Sequence, residues 1–244
     1  PVEAVWSRPC SDGADFHEGH LTFTMDGCKN QYTTQGGRIT IERTERLGRY
    51  TLVQTADCFP LGGDTLALGD FATLRRGWRV CDLGCGSGAL SIRAALTWPE
   101  TKVTGMDYWG AVYNYSKALC EKNAASEGVA SRCVFRHGDA NHLDFPDESF
   151  DAVISNYVYH NITGADKQAL LLETLRVLKK GGTYAIHDLM SPGRYDDMQA
   201  FVQKLRDMGY ERVGLIDTTD GSFMTPKEAK RLMLRGSTLL LGRK

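Results

Sequence analysis

The sequence has no apolar run approaching the ~18 residues that a membrane-crossing helix needs, no internal repeat and no low-complexity tract. It also lacks an excess of either charge: 29 Lys and Arg stand against 30 Asp and Glu, a formal net charge of −1. A protein that depends on phosphate-backbone affinity carries a basic surplus, so no nucleic-acid partner is expected. The first 20 residues are polar, with Glu3, Arg8, Asp12, Asp15 and Glu18, and no secretory leader is expected. The seven cysteines (Cys10, Cys28, Cys58, Cys81, Cys85, Cys120 and Cys133) are odd in number and form no CxxC pair. They read as small buried hydrophobes in a reducing, cytoplasmic setting rather than as a disulfide framework or a zinc site. His17-Glu18-Gly19-His20 puts a glycine between its histidines and lacks HExxH spacing, so no metal is expected there.

What is present is length enough for a full core, 244 residues, and two textures. Residues 1–75 carry many Gly, Thr and Asp and predict a small β-containing cap. Arg38–Arg43 and Tyr50–Gln54 read as strands joined around Gly48, and a helical stretch follows over Leu66–Arg75. Residues 76–244 alternate strand and helix. Strands are predicted at Arg79–Asp82, Lys102–Asp107, Arg132–Arg136, Asp151–Ser155, Thr183–His187, Arg212–Ile216 and Thr238–Leu241. Helices are predicted at Ala89–Leu96, Val112–Ala125, Lys167–Leu178 (stopped by Gly181-Gly182) and Met198–Met208. Such alternation means βαβ units in a mostly parallel sheet, with ligands at the carboxyl ends of the strands.

Three carboxylates stand at three of those strand ends. Asp82-Leu83-Gly84-Cys85-Gly86-Ser87-Gly88 follows the first strand of the alternating region and opens a helix. Its glycines permit positive φ and close backbone approach, and the helix start favours an anionic group. Asp107 ends the next strand about 20 residues on, where an acid accepts hydrogen bonds from ribose hydroxyls. Asp139 follows the third, where a carboxylate can accept from the amine of adenine. Each alone is more often a turn residue or a cap. Gly84-x-Gly86-x-x-Ala89 taken alone also satisfies a dinucleotide fingerprint, which leaves an NAD(P)-dependent oxidoreductase open.

The ordered set of the glycine run, Gly105-Met106-Asp107, Gly138-Asp139-Ala140, Phe150-Asp151-Ala152-Val153-Ile154-Ser155-Asn156 and Leu178-Lys179-Lys180-Gly181-Gly182 resembles the class I S-adenosylmethionine-dependent methyltransferases. The resemblance covers about residues 75–190. It implies a Rossmann-like seven-stranded sheet flanked by helices, with an antiparallel last strand at Thr238–Leu241, and S-adenosylmethionine as cofactor. It also implies a cofactor set of Asp82, Gly84, Cys85, Gly86 and Gly88 at the methionine end, Asp107 and Tyr108 at the ribose, Asp139 and Ala140 at the adenine edge, and Asn156.

Two branches of that superfamily compete. Asp57-Cys58-Phe59-Pro60-Leu61-Gly62-Gly63-Asp64-Thr65 resembles the approach segment of tRNA adenine-N6 methyltransferases, which adds Phe59 and Asp64 to the expected cofactor surroundings and keeps an RNA methyltransferase as an alternative. Those enzymes carry Asn-Pro-Pro-Tyr after the fourth strand, whereas this chain reads Ser155-Asn156-Tyr157-Val158-Tyr159-His160 without prolines. That run, and Asp147-Glu148-Ser149-Phe150-Asp151 before it, is more similar to small-molecule methyltransferases of the ubiquinone/menaquinone type. A small-molecule methyl acceptor is therefore expected, with His160 and Asp188 as the candidate proton-handling residues. Tyr157, Tyr159 and Trp109 are candidates for an aromatic lining or for core. A non-catalytic adenosyl-binding module remains the further rival.

Overall fold

The computed structural model describes residues 72–110, 115–221 and 223–244, Thr65 and Leu68, and the backbone of five strands between Ala14 and Thr55. The chain divides into two compact units, Pro1–Pro60 and Leu61–Lys244.

The first unit is an antiparallel sheet in chain order: β1 (Ala14–His17), β2 (His20–Met25), β3 (Cys28–Gln35), β4 (Arg38–Leu47) and β5 (Tyr50–Thr55). Only β4 and β5 are predicted from the sequence. Phe59 and Asp64 lie outside the described residues, as does all but Thr65 of the approach segment.

In the second unit β6 (Arg79–Leu83) leads to α1 (Ala89–Thr97), β7 (Lys102–Asp107), α2 (Lys117–Ser126) and β8 (Cys133–His137). The chain then crosses to β9 (Phe150–Asn156), a single 3₁₀ turn (Tyr159–Asn161), α3 (Lys167–Arg176) and β10 (Leu178–Leu189). It finishes with α4 (Pro192–Tyr195), α5 (Met198–Asp207), β11 (Glu211–Asp217), α6 (Pro226–Arg231) and β12 (Ser237–Arg243). The sheet order is β11-β12-β10-β9-β6-β7-β8. β10, β9, β6, β7 and β8 pair in parallel, and β12 runs antiparallel between β10 and β11. The seven-stranded, mostly parallel sheet with an antiparallel last strand is the fold the resemblance implies. The strand order reverses between β6 and β9, which makes that edge the switch point where ligands of such sheets sit.

Continuous apolar runs bury the central strands on both faces. Val80, Cys81 and Leu83 of β6 and Ala152, Val153 and Ile154 of β9 are buried, as are Leu171 and Leu175 of α3 and Phe201 and Leu205 of α5. Among the described residues no helix is long and apolar enough to cross a membrane.

Three helix boundaries differ from prediction. α3 ends at Arg176 and the chain enters β10 at Leu178, so Gly181-Gly182 lies inside a strand rather than stopping a helix. The pairing of β10 with β9 shifts register between Leu178 and Thr183. Gly181 there has φ +76, and a Cβ on Gly182 would stand 2.7 Å from the Asp151 carbonyl oxygen. The pair thus forms a bulge that only glycine fits. α2 starts at Lys117 because Ser116 caps it, accepting from the Leu119 N–H at 3.2 Å; residues 111–114 of the predicted helix are not described. Thr73–Arg75, the end of the helix predicted over Leu66–Arg75, are not helical.

Candidate active site

The turn from β6 into α1 is built by glycines at φ +71 (Gly84), +55 (Gly86) and +85 (Gly88). β6 and β7 fix its start, since the amides of Gly84 and Cys85 both donate to the Met106 carbonyl, at 2.7 and 3.1 Å. The space above Gly84 belongs to Val158: a Cβ there would meet Val158 Cγ2 at 2.1 Å. Above Gly86 lies the Tyr115 ring, 3.5 Å from where a Cβ would be.

α2, α3, α5 and α6 each begin on a side chain that accepts a first-turn N–H: Ser116, Asp166, Asp197 and Thr225. α1 begins on Gly88 with no side-chain cap. Asp82 takes the Ser91 amide of its first turn from behind; the amides before Ser91 have no side-chain cap and suit a ligand acceptor.

Asp107, at the end of β7, closes the loop from the side. Its Oδ2 accepts the Gly86 N–H and its Oδ1 the Trp109 N–H, both at 2.8 Å. Trp109, at φ +43, donates through Nε1 to the Gly86 carbonyl at 3.1 Å, and the Cys120 thiol donates to the same oxygen. Each Asp107 oxygen keeps a lone pair for a further donor.

Asp82 is buried behind the loop and accepts the Ser91 hydroxyl at 2.5 Å. Burial, with the Asp107 charge adding to it, pushes its carboxyl up to about 7. Cys85 is buried too, its thiol raised by desolvation and by Cys120. Tyr108 is exposed, its ring 5.2 Å from that of His137. Asp139 is exposed and accepts both the backbone and side-chain amides of Asn141, which hold its carboxyl below the ordinary range. Ala140 is half-buried beside it.

The turn after β9 and the end of β10 deliver the two candidate proton-handling residues to one another. Asp188, fully buried on β10, accepts His160 Nδ1 at 2.7 Å. It also takes the backbone N–H groups of Val158 (2.9 Å), Tyr159 (2.8 Å) and Leu189 (2.6 Å). One carboxylate thus shapes the turn after β9 and orients the imidazole that the turn carries. The His160 side chain keeps 18% exposure, so its ring can be reached from solvent.

A second polar chain runs beside this pair. His187 is buried with Nδ1 2.9 Å from Asn156 Oδ1 and Nε2 2.8 Å from Thr218 Oγ1, and Asn156 Nδ2 donates to Thr65 at 3.3 Å. Tyr157, at φ +56, packs against His187 at 4.6 Å between centroids and bonds Ser237 through its hydroxyl at 2.6 Å. Phe223 also packs against His187, at 4.9 Å between centroids. Tyr159 belongs to the core, fully buried with its hydroxyl on Thr174.

Sequence reasoning missed Ser91, Tyr115, Val158, Thr218, Phe223 and Ser237. Ser91 lies one helical turn after the loop and carried a findable signal, a small hydroxyl facing back along α1. The others come from turns whose partners are set only by the folded sheet.

Burial pushes His187 down to about 4 from 6.5 and Asp82 up to about 7 from 3.8. The His187 contribution to stability is complete above pH 6.5 and is lost, about 3 kcal/mol in all, as pH falls through 4. The Asp82 contribution has the opposite sense: it is present below pH 3.8 and is lost as pH rises through 7. Between pH 4 and 6.5 the two oppose each other. In Asp82→Asn only the His187 slope remains, so lowering the pH across that window is expected to cost this variant about 3 kcal/mol more than the wild type. Urea midpoints at both pH values measure it, and parallel profiles for the two proteins would contradict it.

A parallel sheet with an uncapped, glycine-led helix at its switch point and an acid at the next strand end defines the Rossmann-like class of nucleotide- and adenosyl-binding domains. Residues 74–223 match the family described as a methyltransferase domain. The chain is 30% identical over 215 residues to a ubiquinone/menaquinone biosynthesis C-methyltransferase, UbiE, of Desulfotalea psychrophila, covering 88% of this chain and 73% of that one. It is 30% identical over 143 residues to 27-O-demethylrifamycin SV methyltransferase of Amycolatopsis mediterranei, covering 59% and 50%. Among solved structures it resembles the [4+2]-cyclase SpnF with a TM-score of 0.57 at 22% identity, covering 74% of this chain and 81% of that one; this likeness shows the fold. The chain spans about half or less of the length of the first curated relatives it matches. The protein belongs to the methyltransferase-domain family, the S-adenosylmethionine-dependent class that its motifs resemble.

Proposed function

We propose that the protein transfers a methyl group from S-adenosylmethionine to a small-molecule acceptor, with His160 taking the acceptor's proton and Asp188 orienting it. The observation that carries this reading is the 2.7 Å contact between His160 Nδ1 and Asp188 Oδ1, on the turn whose Val158 covers Gly84. Asp188 holds the imidazole so that Nε2 is the nitrogen left to accept a proton.

The cofactor supplies a methyl carbon on a sulfonium, an electrophile that needs alignment and, for a protonated acceptor, a base. The residues present fit such a group. The open start of α1 offers backbone amides to its carboxylate, and Gly86 lets it approach the loop without a side chain in the way. Asp107, whose Oδ2 already holds the Gly86 amide, offers its remaining lone pairs to ribose hydroxyls, and Asp139 with Ala140 stands at the next strand end for the adenine. Asp82, buried against Ser91, sets the loop from behind. Nothing comparable supports adenine methylation in RNA: the Asn156 amide faces His187 and Thr65, and no proline follows it to clamp a base.

Asp107→Ala is expected to weaken S-adenosylhomocysteine binding roughly ten- to hundredfold through lost charge-assisted hydrogen bonds. The fold should survive with a modest drop in melting temperature from the lost Gly86 and Trp109 ties, because Asp107 sits at a strand end and not in the core. Unchanged affinity in titration calorimetry would reduce Asp107 to a loop tie for Gly86 and Trp109. The reading as a whole is tested by labelled methyl transfer from S-adenosylmethionine to a panel of phenolic, quinol and macrocyclic hydroxyl acceptors, with unmodified tRNA alongside. Labelled small-molecule product supports it; label in the tRNA alone would favour the RNA alternative.

A further inference from the structure

The connection from β11 to β12 carries a patch that the site does not use. α6 starts with a reciprocal cap between Thr225 and Glu228 and buries only Ala229. Immediately after it Leu232 is 46% and Met233 85% exposed, and Met233 is held at φ +58, a backbone region unfavourable for a long side chain. Lys227, Lys230, Arg231 and Arg235 flank them within eight residues of sequence, all exposed. Glu228 is the sole acid in residues 225–236, and Thr225 occupies its carboxylate. Four cations around two exposed aliphatic side chains form a local feature in a chain whose net charge is −1.

We propose that this segment docks the protein onto an anionic lipid bilayer, with Leu232 and Met233 entering the headgroup boundary and Lys227, Lys230, Arg231 and Arg235 pairing with lipid phosphates. Exposed aliphatic side chains gain by leaving water, and basic residues beside them add attraction to an anionic surface. Nucleic acid fits less well, because residues 225–236 contain no aromatic side chain on which a base could stack. A second copy fits less well too, since a two-fold contact would set the four cations against themselves. The segment returns to the sheet at Ser237, opposite Leu189 at the end of β10. The docked surface therefore adjoins the strand edge that carries Asp188. The inference does not depend on the methyl-transfer reading.

The test is co-sedimentation of the full chain with vesicles of phosphatidylcholine alone and of an equal mixture with phosphatidylglycerol. Binding is expected to the mixed vesicles, to fall with added salt, and to be much weaker on phosphatidylcholine. Leu232→Ser with Met233→Ser, and separately Lys230→Glu with Arg231→Glu, should each weaken it roughly tenfold or more. Met208→Ser, at another exposed apolar position, should leave it unchanged. The substituted side chains lie on the surface, so melting temperatures should match the wild type. Failure of the wild type to bind the mixed vesicles, or wild-type binding by the Leu232/Met233 variant, would overturn the proposal. Capture of polyglutamate without vesicle binding would assign the patch to an acidic protein partner and overturn it equally.

Discussion

His160→Ala is expected to lower the rate of methyl transfer by about 10²–10⁴-fold while leaving S-adenosylhomocysteine affinity within about threefold. The imidazole contributes to proton transfer, whereas the residues proposed for the cofactor's carboxylate, ribose and adenine lie at the ends of β6, β7 and β8, so the two readouts separate. Asp188→Asn should reproduce part of the loss in rate. It also loses charge where four backbone amides converge, those of Val158, Tyr159, His160 and Leu189, so its stability should fall where that of His160→Ala does not. Equal rates for wild type and His160→Ala on an acceptor with a dissociable proton would remove His160 from the reaction and leave it as a ring that Asp188 ties down.

Gly84→Ala is expected to lose about 2–5 kcal/mol of stability and most of the cofactor affinity. One part comes from holding alanine at φ +71, about 1–2 kcal/mol. The rest comes from forcing a methyl against Val158 Cγ2 at 2.1 Å, an overpacking cost of about 1–3 kcal/mol. Val158 cannot retreat cheaply, because its amide is tied to Asp188. Val158→Ala in the Gly84→Ala background should return the steric part and not the backbone part, a coupling that a double-mutant cycle in urea reads directly. Purely additive effects would mean that Val158 and Gly84 do not meet.

The alternating half of the chain was legible because hydrophobic runs, turns and glycines agree there. Lys102–Asp107 was predicted to the residue, and β6, β9, α1 and α5 to within two. One error fell where glycine has more than one use. Gly181-Gly182 reads as a helix stop and serves as a bulge, and only the β9 neighbour that crowds Gly182 decides between them. In the N-terminal unit β1 and β3 are mostly polar and carry little alternation, whereas β2 alternates Leu21, Phe23 and Met25 with Thr22 and Thr24, a signal that was missed. Their two-residue connections, Glu18-Gly19, Asp26-Gly27 and Gly36-Gly37, nevertheless offered the glycine signal of tight hairpins.

The site divides in the same way. The glycine loop and Asp107 are a local motif followed by a fixed spacing, which a sequence can display. His160 and Asp188 were named separately; their 2.7 Å pairing is a product of β9 and β10 lying side by side. The His187 chain through Asn156, Thr65 and Thr218 joins segments far apart in sequence, and nothing in composition or spacing announces it. Asp82 shows the converse: its position was plain, but its burial and raised carboxyl pKa depend on the sheet closing over it.

The central claim is that the loop of Gly84, Gly86 and Gly88 with Asp107 is an adenosyl site rather than a dinucleotide site. Titration calorimetry with S-adenosylhomocysteine, NAD and NADP tests it most directly. Micromolar binding of S-adenosylhomocysteine, on the order of −8 kcal/mol, without comparable affinity for either dinucleotide is the expected result; tight binding of NAD or NADP with none of the adenosyl ligand would contradict it.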